Sequence, residues 1–243
     1  MPDRAAIVTG GSRGIGRAIA EALAGEGYAL TVTARKPDAL EGTVDELRAA
    51  GAEVEGMAVN LAGDEAPGQI VNAHRERFGR LDVLVNNAGV GIGAAAGEHQ
   101  TKHLDLQIDV NLRAIILFYR EAAELLRAAG AEHRQALVVN LASMAGKSGQ
   151  PFLSAYSATK AAVIGYTEAM NKEFGGDGVK SVAFCPGFVD TDMSEFVKGH
   201  IPAEQMIRPE DMGEAVRFLL RLSPGCVVPE IMFQRPGEGA LTP

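Results

Sequence analysis

A tyrosine and a lysine stand four residues apart in the segment SAYSATKAAV, residues 154–163. On a helix this spacing places Tyr156 and Lys160 on one face, one turn apart. A phenol has an unperturbed pKa of about 10, which suits it poorly to proton transfer near neutral pH. An ammonium at about 4 Å stabilises a phenolate by about 4 kcal/mol at an effective dielectric constant of 20, enough to bring that pKa to about 7. The pair therefore predicts a general acid or base, Tyr156, that Lys160 activates.

Two further polar residues are placed where they could assist this pair. Ser143 follows an apolar run, and a hydroxyl at a strand end can donate a hydrogen bond to a carbonyl or alcohol oxygen and orient it. Asn111 lies in a segment of helical character although Asn is a poor helix former, which a functional demand would explain. Each feature alone has a plainer interpretation: Ser143 as a turn residue, Asn111 as a surface residue, and the Tyr-x-x-x-Lys spacing as coincidence.

The segment AAIVTGGSRGIGRAIAEAL predicts a strand, a glycine turn and a helix. Gly10, Gly14 and Gly16 would let the backbone of this turn approach a pyrophosphate closely. The helix that begins near Ile15 would direct its free N–H groups and the positive end of its dipole at the phosphates. Because the turn joins the first strand to the first helix, it indicates a dinucleotide site.

Two other motifs fit the sequence less well. Residues 10–14 also match the Gly-x-Ser-x-Gly turn of serine hydrolases, but no acid and histidine follow them in a convincing pattern. Residues 142–148 resemble the end of a phosphate-binding P-loop, but Leu141 stands where its first glycine is required. We therefore reject both a hydrolase site and a P-loop.

The residues after the second predicted strand favour a particular dinucleotide. A carboxylate at this position binds a ribose 2′-hydroxyl, whereas an arginine accepts a 2′-phosphate through two parallel hydrogen bonds. The chain has Arg35 and Lys36 here, and Arg13 of the glycine turn is expected at the same corner with no carboxylate competing. The prediction is NADP(H), with NAD(H) as the second option. The alternative is a basic loop that only faces solvent.

Short apolar runs rich in β-branched residues alternate with amphipathic or Ala-rich segments along the chain. Continuous apolar strands separated by helices are typical of a parallel sheet covered on both faces. We therefore predict an α/β fold: a single doubly wound Rossmann domain over residues 1–243, with about seven parallel strands and helices on both faces. The predicted strands are 5–10, 29–34, 53–59, 81–86, 136–142, 180–185 and 227–233. The predicted helices are 15–25, 37–50, 65–78, 101–129, 154–174 and 209–222.

Three irregular segments follow strand ends, at 89–100, 144–152 and 188–206. Ligands of open parallel sheets bind at this edge. The last segment is predicted to be a mobile substrate loop. The substrate pocket is expected to combine this loop with apolar residues: Val90, Ile92, Met144, Phe152 and Phe188. Such a wall suits a small or medium hydrophobic carbonyl compound.

Composition narrows the class of protein. Of the 243 residues, 47% are hydrophobic and 22% charged, so the chain can bury an ordinary core. Lys and Arg number 23 against 31 Asp and Glu, a net charge of −8, which argues against binding to nucleic acid or anionic membranes. Cys185 and Cys226 fit no metal-ligand pattern, and His99 and His103 lack a third ligand, so no metal site is predicted. With no signal core and no apolar run of membrane-spanning length, a cytoplasmic protein is expected.

Several separately placed motifs occur in one order: the glycine turn, Asn86-Asn87-Ala88-Gly89, Asn111, Ser143, Tyr156-x-x-x-Lys160, Pro186-Gly187 and Thr191-Asp192-Met193. Over about the first 190 residues this order resembles the short-chain dehydrogenase/reductase family, and its 3-oxoacyl-thioester reductases in particular. The resemblance implies four catalytic residues: Asn111, Ser143, Tyr156 and Lys160. Asn111 would complete a water-linked proton relay.

The resemblance also implies which residues contact the cofactor. Residues 86–89 match the segment beside the adenine side, residues 186–191 match the segment beside the nicotinamide, and Lys160 would hold the nicotinamide ribose. The predicted cofactor-binding residues are Gly10, Ser12, Arg13, Gly14, Ile15, Gly16, Arg35, Asn60, Leu61, Asn87, Ala88, Gly89, Tyr156, Lys160, Pro186, Gly187, Val189 and Thr191. The chain departs from the family at Asn60, where members usually have Asp, and at 227–233, where a proline is typical of an edge strand.

The resulting hypothesis is an NADP(H)-dependent oxidoreductase that interconverts a carbonyl and a secondary alcohol, by hydride transfer with Tyr156 as acid or base. A 3-oxoacyl thioester is one substrate that the family implies. The alternative is a non-catalytic NAD(P)-binding protein that senses redox state, against which the intact catalytic residues argue. In the family the helices at 101–129 and 154–174 commonly form dimer surfaces, so a homodimer or homotetramer is expected. Apolar residues support this surface: Ile115, Ile116 and Phe118.

Overall fold

The computed structural model describes residues 2–237, which form a seven-stranded sheet with helices on both faces. All seven strands are parallel, in the order β3-β2-β1-β4-β5-β6-β7. The strands are β1 (Ala5–Thr9), β2 (Ala29–Ala34), β3 (Val54–Ala58), β4 (Val83–Asn86), β5 (Ala136–Leu141), β6 (Val179–Pro186) and β7 (Glu230–Phe233). The predicted doubly wound α/β fold is confirmed. The predicted single domain over 1–243 also includes residues 1 and 238–243, which lie outside the described part.

Helices cover the sheet on two sides. They are α1 (Gly14–Gly25), α2 (Pro37–Ala49), α3 (Ala66–Phe78), α4 (Thr101–Ile108), α5 (Ala114–His133), α6 (Met144–Lys147), α7 (Ser154–Phe174) and α8 (Pro209–Leu220). One core cluster joins the sheet to α3, α5 and α7, and a second joins it to α1, α2 and α8. This division explains the unbroken apolar strands, because both sides of each central strand are buried. No helix within residues 2–237 is long and apolar enough to cross a membrane.

The sequence predicted one helix over 101–129, but the structure divides this stretch. A π-helical turn, Asp109–Arg113, separates α4 from α5. Such a turn inserts a residue into the α-helical hydrogen-bonding pattern and often occurs at functional sites. It places Asn111 in the interior, where no part of the residue is exposed, and so excludes a surface asparagine.

Two further segments differ in detail from the boundaries that the sequence predicted. The segment at 144–152 was expected to be irregular, yet it begins with the short helix α6. At the C-terminal side, β7 lies at the edge of the sheet, as the proline in this run predicted. Pro229 precedes the strand, and its carbonyl accepts the N–H of Ala183 at 2.9 Å. Part of the Pro/Gly-containing tail after β7 falls in residues 238–243, outside the described part.

Parallel pairing brings the strand ends to a common edge. Thr9, Asn86, Leu141 and Pro186 end the four central strands β1, β4, β5 and β6. The segments that leave these strands are the glycine turn and the three irregular segments singled out from the sequence. The chain topology therefore collects all the predicted site residues at one edge, although they are up to 181 positions apart (191 − 10 = 181).

Candidate active site

A cavity of about 850 Å³ opens at this edge of the sheet. Every predicted cofactor-binding residue lines it, from Gly10 in the first turn to Thr191 after β6. Of the four predicted catalytic residues, Ser143, Tyr156 and Lys160 line it and Asn111 does not. The cavity joins the glycine turn at one end to the Ser-Tyr-Lys group at the other.

The glycine turn has the backbone shape that the sequence predicts for a phosphate site. Gly10 and Gly14 adopt positive φ angles of 65° and 52°, which favour glycine. A side chain at Gly16 would place its Cβ 2.4 Å from the carbonyl oxygen of Gly10. Helix α1 begins at Gly14 with no side-chain cap and no acidic residue in its first turn. Its first N–H groups are therefore suited to an anion rather than to an internal partner.

Thr9 holds this turn against the end of β4 and was not singled out from the sequence. Its hydroxyl donates to the carbonyl of Val85 at 3.1 Å and accepts the N–H groups of Asn87 at 2.9 Å and Ala88 at 3.1 Å. The Asn87 side chain donates back to the carbonyls of Thr9 and Gly10 at 2.9 Å and 3.0 Å. A polar residue at the end of an otherwise apolar strand was the available signal.

Ser143, Tyr156 and Lys160 converge because α6 follows the end of β5 and packs against α7, the next helix along the chain. Ser143 caps α6 by accepting the N–H of Ala145 at 3.1 Å, and its hydroxyl donates to the Pro186 carbonyl at 3.5 Å. The same hydroxyl lies close enough to Tyr156 to act on the pKa of the phenol. The Lys160 ammonium lies 5.6 Å from the centre of the Tyr156 ring. It donates to the carbonyl of Leu141 at 2.6 Å, which ties it to the end of β5.

Burial changes the electrostatics that the sequence-based estimate assumed. Burial raises the pKa of Tyr156 above its ordinary value, and the hydrogen bond with Ser143 acts in the opposite direction. Burial also lowers the pKa of Lys160 to about 8, since the residue is only 3% exposed. The Coulomb estimate counted attraction between phenolate and ammonium but left out the cost of removing both from water. Burial therefore opposes the lowering of the Tyr156 pKa that the sequence analysis assigned to Lys160.

Gly146 sets the distance between the two helices that carry these groups. A Cβ at this position would lie 2.7 Å from the carbonyl carbon of Lys160 and 2.8 Å from the nitrogen of Ala161. Any larger residue would therefore push α6 away from α7. In the sequence Gly146 stood out only as part of the rejected P-loop pattern, because contact between helices leaves no local signature.

Asn111 supports the site from behind the cavity wall. Its side-chain oxygen accepts the N–H of Val90 at 2.8 Å, and its nitrogen donates to the Val90 carbonyl at 2.8 Å and to the Thr159 hydroxyl at 3.2 Å. Asn111 thus connects the loop after β4 to helix α7. The side chain positions Val90, a residue of the cavity wall.

A family model described as short chain dehydrogenase matches residues 4–200, which is most of the chain. This chain belongs to the short-chain dehydrogenase family. A 3-oxoacyl-[acyl-carrier-protein] reductase of Synechocystis sp. is 34% identical over 220 residues, covering 88% of this chain and 87% of the relative. A granaticin polyketide synthase putative ketoacyl reductase of Streptomyces violaceoruber is 37% identical over 208 residues, covering 85% and 75%.

Solved structures agree with this assignment. An alcohol dehydrogenase from the archaeon Thermococcus sibiricus, complexed with 5-hydroxy-NADP, matches with a TM-score of 0.85 and 32% identity, over 97% of this chain and 99% of that one. A variant actinorhodin polyketide ketoreductase with NADPH matches with a TM-score of 0.85 and 31% identity, over 94% and 95%. The present short-chain dehydrogenase is thus an oxidoreductase with the fold of its family.

In this short-chain dehydrogenase the cationic corner contains a carboxylate that the sequence analysis did not anticipate. Arg13, Arg35 and Lys36 all line the cavity, as predicted. Arg13, however, forms an ion pair with Asp192 from the segment after β6. The expectation that no carboxylate competes at this corner is therefore wrong, because the chain fold brings in an acid from 179 positions away.

The predicted apolar substrate wall is only partly formed. Val90 lines the cavity, but Ile92, Met144, Phe152 and Phe188 are not part of its lining. Met144 is fully buried beneath the site, whereas the Phe152 side chain stands out with 68% of its surface exposed. Met193, which belongs to the Thr191-Asp192-Met193 motif in the predicted substrate loop, also lines the cavity.

Proposed function

We propose that this short-chain dehydrogenase is an NADP(H)-dependent oxidoreductase that interconverts a carbonyl and a secondary alcohol. The observation that carries the proposal is the convergence of Ser143, Tyr156 and Lys160 on one end of the cavity that begins at the glycine turn. Relatives named as 3-oxoacyl or ketoacyl reductases and neighbours solved with 5-hydroxy-NADP or NADPH support the same conclusion.

The residues present fit a dinucleotide. The uncapped start of α1 and the close approach at Gly16 suit a pyrophosphate, and Arg35 with Lys36 suits a 2′-phosphate. Asn60 lines the adenine side, where its oxygen accepts the N–H of Ala62 at 3.2 Å and can accept a second hydrogen bond. When bound, the nicotinamide supplies or takes the hydride. The remaining contacts would come from Leu61, Asn87, Ala88, Gly89, Lys160, Pro186, Gly187, Val189 and Thr191.

The protein's own groups manage the proton and the substrate oxygen. In reduction, the carbonyl carbon gains a hydride and the oxygen gains a proton from the Tyr156 hydroxyl. In oxidation the hydride leaves that carbon, and the proton of the alcohol returns to the Tyr156 phenolate. Ser143 donates a hydrogen bond that orients the substrate oxygen and stabilises its developing charge. Lys160, held by the Leu141 carbonyl, provides positive charge that favours the phenolate after proton transfer.

The substrate is proposed to be a ketone with an apolar substituent, a class that includes 3-oxoacyl thioesters. Val90, Leu106, Val110 and Met193 give apolar side chains to the cavity that Tyr156 also lines. Two relatives with names of this kind support the class. The apolar surface would exclude water from the reacting carbonyl and so strengthen the polar contacts with its oxygen.

The replacement of Tyr156 by Phe tests the catalytic proposal. Because Phe keeps the ring but has no proton to transfer, kcat/KM for ketone reduction should fall about 100-fold or more. The dissociation constant for NADPH, measured by fluorescence titration, should stay within about twofold since the ring remains in place. Tyr166→Phe is the matched control, because Tyr166 lies on the same helix but packs edge-on against Tyr119 in the core.

Two outcomes would contradict the proposal. Full turnover by Tyr156→Phe would remove Tyr156 from the chemistry. A wild-type protein that binds NADPH tightly but reduces none of a broad panel of ketones would favour the redox-sensing alternative, in which the nucleotide is bound without being used.

A further inference from the structure

The ion pair between Arg13 and Asp192 joins two segments that line the cavity. Arg13 belongs to the glycine turn and Asp192 to the segment 188–206, and both side chains remain 68% exposed. Nearby, a Cβ on Gly14 would lie 3.0 Å from the Thr191 methyl group, so the two segments are already in contact. The carboxylate of Asp192 therefore stands directly beside one of the three cations of the 2′-phosphate corner.

The other charged groups around this corner have different partners. Asp190 and Glu195 of the same segment pair with Lys198 at 3.1 Å and 2.8 Å. Within residues 2–237, Arg35 and Lys36 form no ion pair. Of the three cations, then, only Arg13 is opposed by a carboxylate.

Two physical effects follow for a phosphate that approaches Arg13. The guanidinium must give up or share its hydrogen bond to Asp192, and the phosphate and carboxylate repel each other as like charges. A ribose 2′-hydroxyl carries no charge and meets neither effect. Asp192 should therefore weaken the binding of a 2′-phosphorylated cofactor without weakening that of its unphosphorylated counterpart.

We propose that Asp192 is a cofactor-selectivity residue, which holds Arg13 in an ion pair and thereby reduces the preference of this protein for NADP(H) over NAD(H). The inference rests on the proposed function, in that it assumes the cavity binds a dinucleotide. Because Asp192 belongs to the predicted substrate loop, this loop would influence how tightly the protein binds the 2′-phosphate of the cofactor.

Binding titrations test this role without any turnover. NADPH and NADH would be titrated by their fluorescence, and 2′,5′-ADP and 5′-AMP by calorimetry, against wild type, D192N, R13Q and the double variant. D192N should bind NADPH and 2′,5′-ADP about twofold to fivefold more tightly, the range expected for an exposed ion pair. Its affinities for NADH and 5′-AMP should not change. In the R13Q background D192N should have no effect, because the partner is absent.

Glu195→Gln is the matched control, since it removes a carboxylate from the same segment but one that pairs with Lys198. It should leave the ratio of NADPH to NADH affinity unchanged. Equal tightening of NADPH and NADH by D192N, or a full effect of D192N in the R13Q background, would overturn the proposal. A protein that binds neither nucleotide would refute the proposed function itself, whereas intact binding with an unaltered ratio would refute only the role of Asp192.

Discussion

At the scale of single residues, the surrounding protein disfavours the charged forms of two groups in the site, the Tyr156 phenol and the Lys160 amine. Lys160 is almost completely buried and Tyr156 is partly buried, so burial opposes the charged form of each. Lys160 keeps a strong partner in the Leu141 carbonyl, and Tyr156 keeps Ser143. Proton transfer from Tyr156 to a substrate oxygen therefore depends on all three groups, and loss of any one should reduce turnover more than it reduces binding.

Phe152 gives a second prediction at this scale. It adopts a φ of 62°, a conformation that a bulky residue rarely takes, while its side chain is 68% exposed. Phe152→Gly should relieve this strain and Phe152→Ala should not, so urea unfolding should show the Gly variant to be about 1 kcal/mol more stable than the Ala variant.

The same pair of variants tests whether the phenyl group contacts substrate. Because Phe152 does not line the cavity, both variants should keep the wild-type ratio of kcat/KM for ketones with bulky apolar substituents to kcat/KM for small ketones. A lower ratio in both variants would show that the exposed ring takes part in substrate recognition.

At the scale of elements, the site depends on how closely α6 approaches α7. Gly146→Ala would force a Cβ into the backbone of Lys160 and Ala161, and one of the two helices would have to shift. Since a displacement of about 1 Å can cost about 100-fold in rate, we expect kcat/KM to fall at least tenfold. Steady-state kinetics would measure this fall. Gly149→Ala serves as the control, because its added Cβ would meet nothing within 4 Å. Equal losses of kcat/KM in both variants would contradict the role of the Gly146 contact with α7.

A buried histidine of helix α3, His74, makes the free energy of unfolding depend on pH. His74 Nε2 must donate to the Arg80 carbonyl at 2.8 Å, so Nδ1 accepts the Thr31 hydroxyl hydrogen at 2.7 Å. Burial lowers the pKa of His74 from 6.5 to about 4. A lowered pKa means that the folded state prefers the neutral ring, so this contribution to stability is complete above pH 6.5 and is lost as the pH falls through 4.

Urea unfolding at pH 7.5 and pH 4.5 would measure that loss. His74→Gln can keep both hydrogen bonds but cannot take up the proton. Its decrease in unfolding free energy between the two pH values should be smaller than that of wild type by about 2 kcal/mol. His103→Gln, on the partly exposed side of α4, should behave like wild type. An identical decrease in all three proteins would contradict the role of His74.

At the scale of the whole molecule, most of the apolar stripe on the predicted dimer helices is used within one chain. Ile115 and Phe118 are 3% and 1% exposed, so they belong to the core. Ile116 remains 40% exposed and Leu104 36% exposed, on the same layer as the exposed small residues of α7. These residues are the part of the stripe that a second copy of the chain could cover.

We therefore expect the protein to be a homodimer or homotetramer of the 25.5 kDa chain in solution. Light scattering coupled to gel filtration should give a mass of two or four chains. Ile116→Asp should lower this mass toward one chain, because a buried unpaired charge is costly. Phe218→Asp, on the other layer of the sheet, should not lower it below two chains. A wild-type mass of one chain would refute the expectation.

The order of apolar runs and the polar motifs between them were sufficient to predict the parallel sheet, its seven strands and a set of cofactor-binding residues that all line the cavity. These features are local: a strand needs its apolar run, and the glycine turn needs its glycines in sequence. The sequence alone did not determine the break at Asp109–Arg113, the contact of Gly146 with α7 or the carboxylate beside Arg13, because each depends on segments that only the fold brings together. Burial is equally a property of the whole structure. The tertiary structure therefore decided which charges Tyr156, Lys160 and Arg13 experience, whereas the sequence determined that these residues would share one site.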